Sequence, residues 1–160
     1  MATSNRLFTL PFQASSNVTA VTLTGNPPAY SSGGLVQFTA VVFDTATGNP
    51  GDIKGATVNT APILGVLQNS TYPAGNSTAG AIGPGDSADI MVYGVTKMVA
   101  GAAITYGALV SVDSSGRAVT APAAGVSQVY AIGIAKGNAT ALGDLVEVIL
   151  LPGVATQVNA

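Results

Sequence analysis

From Leu35 onward, clusters of Gly, Pro, Asn and Asp interrupt this sequence before any apolar run grows long enough for a helix. The segments between them are short and rich in β-branched residues: "ATVNT", "ILGVLQ", "ADIMVY", "ALVSVD", "RAVTA", "YAIGIA" and "DLVEVILL". The longer "LVQFTAVVFD" reads as one alternating strand, with Val36, Phe38, Ala40 and Val42 on one face and Gln37, Thr39 and Val41 on the other. In "KMVAGAAITYGALV" the alanines favour a helix, but Gly101, Gly107 and the β-branched residues predict strands joined by a tight turn. Short strands at such spacing predict an all-β fold, a small β-barrel or β-sandwich.

The strands repeat. "VVFDTATG" (41–48) aligns with "VSVDSSGR" (110–117), each a strand, an Asp and a Ser/Thr-Gly turn. "ILGVL" (63–67) aligns with "AIGIA" (131–135), a shift of 133 − 65 = 68 at the shared Gly. "GDSADIMV" (85–92) aligns with "GDLVEVIL" (143–150), a shift of 143 − 85 = 58, and the extra loop "NSTYPAGNSTAGAIGP" in the first copy accounts for the difference. The order of elements is kept, so the chain reads as two related halves. In the second copy Val146, Val148 and Leu150 share the expected inward face, with Leu145, Glu147, Ile149 and Leu151 on the other. In the first copy Ala88, Ile90 and Val92 take the equivalent inward face, and Ser87, Asp89, Met91 and Tyr93 point away. These alignments divide the chain into an arm and linker over 1–34, a first β half over 35–94, a second over 95–153, and a tail over 154–160.

The first segment is polar and turn-rich except for "RLFTLPF", where Pro11 rules out a helix or central strand. Arg6, Leu7, Phe8, Leu10 and Phe12 are expected to form an extended arm that anchors on a neighbour. An edge strand folded back on its own domain is the competing reading.

Composition points the same way. Charged residues make up 8% of the chain and apolar ones 48%, against about 25% charged in an ordinary domain. No apolar run approaches the roughly 20 residues of a spanning helix, and the N-terminus lacks the pattern of a signal peptide. A surface so poor in charge predicts an assembly protein whose faces are covered by copies of itself or a larger partner. On that reading Leu145, Ile149 and Leu151, the apolar outer row of the last strand, contact another subunit. Five basic residues cannot follow a line of phosphates, so no nucleic-acid partner is expected.

Catalytic groups are scarce. The chain has no His and no Cys, and no Ser-x-x-Lys activates a hydroxyl. The pairs Asp86/Asp89 and Asp144/Glu147 are three apart, which on a strand places their members on opposite faces. They read as turn residue plus solvated strand residue. "DTATGNPGD" (44–52) lacks the alternating acids of a calcium loop, so neither metal nor cofactor is expected. The sequons at Asn17, Asn69, Asn76 and Asn138 follow from a composition rich in Ser, Thr and Asn. Lys97 in "VTKMVAG" falls between the repeats, as the modified lysine of a biotin or lipoate carrier does, but only the Lys-Met pair matches.

Residues 97–153 resemble the decoration, or cement, proteins of tailed-bacteriophage capsids. The matching positions are Ala100-Gly101, Gly107, Leu109-Val110, Val112-Asp113, Gly116, Gly133-Ile134-Ala135 and Gly143 to Val148. The resemblance implies a β-tulip-like domain on the capsid exterior, made in the host cytoplasm, clamping neighbouring major capsid subunits as a homotrimer and without catalysis. The longer N-terminus and the complete first half depart from a single-unit cement protein. The alternative is a carbohydrate-binding or head-fibre module, with exposed Tyr30, Tyr72, Tyr93, Tyr106 and Tyr130 stacking on sugars.

Overall fold

A computed structural model describes residues 21–23, 35–46, 53–68, 81–82, 88–122, 129–151 and 155–156. Among them there is no helix. The strands are β1 (Val21–Leu23), β2 (Leu35–Val36), β3 (Ala40–Phe43), β4 (Ile53–Gly55), β5 (Gly65–Leu67), β6 (Ala81–Ile82) and β7 (Ala88–Met91), followed by β8 (Gly94–Val99), β9 (Leu109–Val112), β10 (Ala118–Thr120), β11 (Val129–Tyr130), β12 (Gly133–Ala135), β13 (Leu145–Leu150) and β14 (Ala155–Thr156). Every described pairing of these strands is antiparallel, so the all-β expectation holds.

The repeat is visible in the topology. Sheet one runs β1-β7-β5-β3-β4 and sheet two β8-β13-β12-β9-β10. Strand for strand, β3 answers β9, β4 answers β10, β5 answers β12 and β7 answers β13. β1, drawn from the segment read as arm and linker, takes the edge that β8 takes in sheet two. The shared glycines mark the same close approach. A Cβ on Gly65 would collide with the Met91 carbonyl, and one on Gly133 with the Ile149 carbonyl. Met91 and Ile149 differ by 149 − 91 = 58, the shift that aligns the closing strands.

Two apolar clusters hold the sheets. The larger contains Val110, Val112, Ala135, Val146, Val148 and Leu150 from sheet two, together with Ala40, Val42 and Val66 from sheet one. The smaller contains Leu35, Val41, Ile53, Leu67, Ala88 and Ile90. Both repeats therefore bury the face expected from alternation, but into different clusters. Ala88 and Ile90, equivalent to Val146 and Val148, face the smaller one. The opposite side of sheet one meets the larger, and Met91, expected to point away, packs against it. The repeats are thus joined front to back: the back of the first lies on the front of the second. Backbone bonds tie this junction, with Ala40 N–H donating to the Gly116 carbonyl at 2.8 Å and Tyr130 N–H to that of Asn59 at 2.7 Å. Thr96, buried in β8, donates its hydroxyl to Gln68 Oε1 at 3.0 Å.

Two segments differ from the alternation. "LVQFTAVVFD" is not one strand: it turns at Gln37-Phe38, where Phe38 adopts φ 62°. That left-handed conformation costs a bulky residue about 1–2 kcal/mol. Its backbone bonds explain it, since Phe38 N–H donates to Leu67 in sheet one at 2.8 Å and its carbonyl accepts from Val99 in β8 at 3.0 Å. The bend lets one residue bridge both sheets. Residues 56–60, read as a strand, form none, and the Asn59 carbonyl serves β11 instead.

Candidate interaction surface

The back of sheet two presents a row of apolar side chains, some of them left exposed. Its register places Ile134 opposite both Leu109 and Ile149, and Leu145, Glu147 and Ile149 opposite Val99, Lys97 and Val95. Directly opposed residues share a face, so these side chains form one surface. Leu145 is 51% exposed and Leu109 40%, while Ile134 and Ile149 are half-buried. At the β9 end the surface closes, because Ser111 is buried with its hydroxyl donated to the Tyr130 carbonyl at 2.9 Å. Alternation exposes this row because Val146, Val148 and Leu150 occupy the larger cluster. Leu145 and Ile149 lie on it as expected, and half-buried Leu151 follows the end of β13. Val95, Val99, Leu109 and Ile134 extend it, which the strand order reveals and the single-strand pattern did not. Arg6, Leu7, Phe8, Leu10 and Phe12 lie outside the described residues.

Charge on this surface is sparse and mixed. Lys136 Nζ lies 3.4 Å from Glu147 Oε2 with both side chains nearly half exposed, a pairing worth little in water. Three other acids serve turns. Asp144 accepts from the Thr140 hydroxyl, Thr140 N–H and Ala141 N–H at 2.8–2.9 Å, and these bonds, the hydroxyl's first, hold its carboxyl below the usual range. Asp44 and Asp113 occupy equivalent places after β3 and β9. Each accepts the N–H two residues on, Ala46 at 3.1 Å and Ser115 at 2.8 Å, and each pairs with a cation on the returning chain, Lys54 at 3.0 Å and Arg117 at 2.7 Å. For Asp44 the Lys54 hydrogen bond is the main reason its pKa is lowered. For Asp113 desolvation pushes upward most, but the Arg117 and Ser115 hydrogen bonds together outweigh it and the net shift is downward. Gly101 makes room for this turn, since a Cβ there would stand 2.5 Å from Asp113 Oδ2.

Other sequence candidates resolve locally. Asp144 and Glu147 do separate into a turn residue and an outward strand residue, whereas Asp86 lies outside the described residues. Lys97 sits in the middle of β8, hydrogen-bonded to β13, so it is not the hairpin-tip lysine of a carrier domain. Asn138 uses its Oδ1 to accept Tyr106 N–H at 2.7 Å. Tyr93 and Tyr106 are exposed, Tyr130 is half-buried, and Tyr30 and Tyr72 lie outside the described residues. No cluster of potential metal ligands occurs among the described residues.

A comparison with the curated proteins finds no match. Among solved structures the chain is similar to the N base of head fiber gp8.5 in bacteriophage phi29, at 16% identity and a TM-score of 0.49, covering 77% of this chain and 90% of that one. The family described as "Structural cement protein (E217 gp24/Pam3 gp6)" matches residues 12–150, the span that includes both repeats and the exposed row of β13, and the chain belongs to this family of phage structural cement proteins.

Proposed function

We propose that the protein binds the exterior of an assembled phage capsid and stabilises it by clamping neighbouring major capsid subunits, as a homotrimer and without catalysis. The observation that carries this reading is the back of sheet two, an apolar row left half open in a member of a structural cement family. Such a surface gains free energy at about 25 cal/mol per Å² when covered. A clamp that binds the closed shell and not its dissociated subunits stabilises the shell by mass action. In this reading Arg6, Leu7, Phe8, Leu10 and Phe12 anchor the arm on a neighbour, and Leu145, Ile149 and Leu151 meet an adjoining subunit. The chain is made in the host cytoplasm and ends on the virion surface.

The test is reconstitution. Capsids lacking the protein are heated with and without added full-length chain, and bound copies are counted against the major capsid protein. Saturable binding in hundreds of copies, with a raised disruption temperature, is the expected result. Binding in a handful of copies without thermal protection would instead indicate a fibre or adsorption protein.

A further inference from the structure

The two repeats build the same turn from different residues. The alignment of "VVFDTATG" with "VSVDSSGR" sets a shift of 110 − 41 = 69, which carries Val36–Thr39 onto Thr105–Ala108. In the first turn Thr39 N–H donates to the Val36 carbonyl at 3.3 Å and Phe38 N–H to that of Leu67 at 2.8 Å. In the second, Ala108 N–H donates to the Thr105 carbonyl at 3.1 Å and Gly107 N–H to that of Ala135 at 2.8 Å. The second central residue of each has positive φ, 62° at Phe38 and 80° at Gly107, as a type II turn requires. Glycine meets that requirement without a steric cost, whereas a bulky side chain there is a conformational outlier. A Cβ at Gly107 would meet no atom within 4 Å, so this corner of the second repeat is open. The first repeat thus carries a ring at a corner that the second builds with glycine.

Packing inside the fold does not account for that ring. Phe38 is half-buried, yet it belongs to neither apolar cluster and is not among the described half-buried residues packed against them. Beside it Val36, the counterpart of Thr105, is 50% exposed. The turn that presents both is held firmly. Thr39 donates its hydroxyl to the Val36 carbonyl at 2.6 Å, Gln37 Nε2 donates to the Gln68 carbonyl at 2.7 Å, and Val99 N–H donates to the Phe38 carbonyl at 3.0 Å. Strained residues cluster where a protein meets its ligands, and an aromatic anchor on a pre-organised support loses little freedom when it binds. We propose that Phe38, flanked by Val36, is a contact residue for the capsid, its ring entering an apolar recess of a major capsid subunit. The inference rests on the proposed function, in which membership of the cement family supplies the partner. It adds a contact from the first repeat to the one drawn from sheet two.

Giving the first turn the residues of the second provides the test. Full-length Phe38→Gly chain, and the same chain with Val36→Thr added, are compared with wild type in urea unfolding and in sedimentation with capsids that lack the protein. Phe38→Asn is included because asparagine also tolerates the left-handed region, and the sedimentation of each free chain is recorded alongside. The expected result is a urea midpoint equal to or above that of wild type, with capsid affinity lowered roughly tenfold or more in all three variants, the scale of losing an anchor side chain. Affinity of Phe38→Gly within about twofold of a wild type that does bind overturns the contact and leaves the cement reading standing. A midpoint lowered by both Phe38→Gly and Phe38→Asn places the ring's role inside its own fold and overturns the contact as well. Free wild-type oligomers that Phe38→Gly dissociates assign the ring to a second copy and overturn the capsid as its partner. Wild-type chain that fails to bind capsids refutes the cement reading, and the capsid contact with it.

Discussion

Replacing Gly133 with Ala should weaken the fold sharply, although it adds a single methyl group. The added Cβ would overlap the Ile149 carbonyl oxygen, stand 2.9 Å from the Ile149 carbonyl carbon and 3.0 Å from Val148 Cγ1. Two of these atoms are backbone of the neighbouring strand, so no rotamer change relieves the clash and β12 must part from β13. Overpacking of this kind costs about 1–3 kcal/mol, and a ladder hydrogen bond left unmade in a buried strand costs about 1–3 kcal/mol more. Relief of glycine's backbone entropy returns about 0.5–1 kcal/mol. The net expectation is about 3 kcal/mol, or a fall of roughly 6–12 °C in Tm for a chain of this length. Gly65→Ala should behave alike, because its Cβ would meet the Met91 carbonyl and approach Ile90 Cγ2 at 2.8 Å. Gly137→Ala is the control: its nearest neighbour would be Glu147 N at 3.8 Å, so it should be neutral or stabilising by up to about 1 kcal/mol. Urea unfolding monitored by circular dichroism separates the cases through the midpoint at constant slope. A loss under about 1 kcal/mol at both Gly65 and Gly133 would refute the close backbone approach at these glycines, and a loss at one without the other would refute the structural equivalence of the two repeats.

Two buried positions, one in each cluster, should cost similar amounts: Ile90→Ala and Leu150→Ala each lose about 2–5 kcal/mol in urea titration, whereas exposed Leu145→Ala stays within about 0.5 kcal/mol. The lowered carboxyls of Asp44, Asp113 and Asp144 make the native state bind fewer protons than the unfolded chain in acid. Their stabilisation is therefore complete above the unfolded pKa of about 3.9 and disappears as pH falls through the lower folded values. Asp113→Asn should flatten the acid limb of a stability profile taken from pH 7 to pH 3, and an unaltered limb would contradict its role. Removing residues 1–20, or changing Phe8 and Phe12 together to Ala, should leave the urea midpoint within about 0.5 kcal/mol of wild type and weaken capsid binding at least tenfold in a sedimentation assay. Undiminished binding would remove the arm from the proposed clamp.

Much of the molecule is legible in the residues themselves. Frequent Gly, Pro, Asn and Asp leave no room for helices, and the period of two in β13 correctly assigns Val146, Val148 and Leu150 to the interior with Leu145 and Glu147 outside. The Gly143-Asp144 turn and the duplicated Val-x-x-Asp turns are legible too, because a side chain that caps its own turn needs partners only a few residues away. Alternation nevertheless specifies two faces of a strand without saying what lies against either. In sheet one both faces are apolar, so the sequence is silent on which joins the second repeat, and only the packed sheets show Ala40, Val42 and Val66 lying on the larger cluster with Ala88 and Ile90 in another. The bend at Phe38 is equally hidden. Nothing nearby in sequence demands a left-handed phenylalanine; Leu67 and Val99, 29 and 61 residues further along, supply the hydrogen bonds that hold it. Local turn chemistry and strand period were determined by the sequence alone. The pairing of faces and the bridge between sheets were decided by contacts that exist only once distant strands have met.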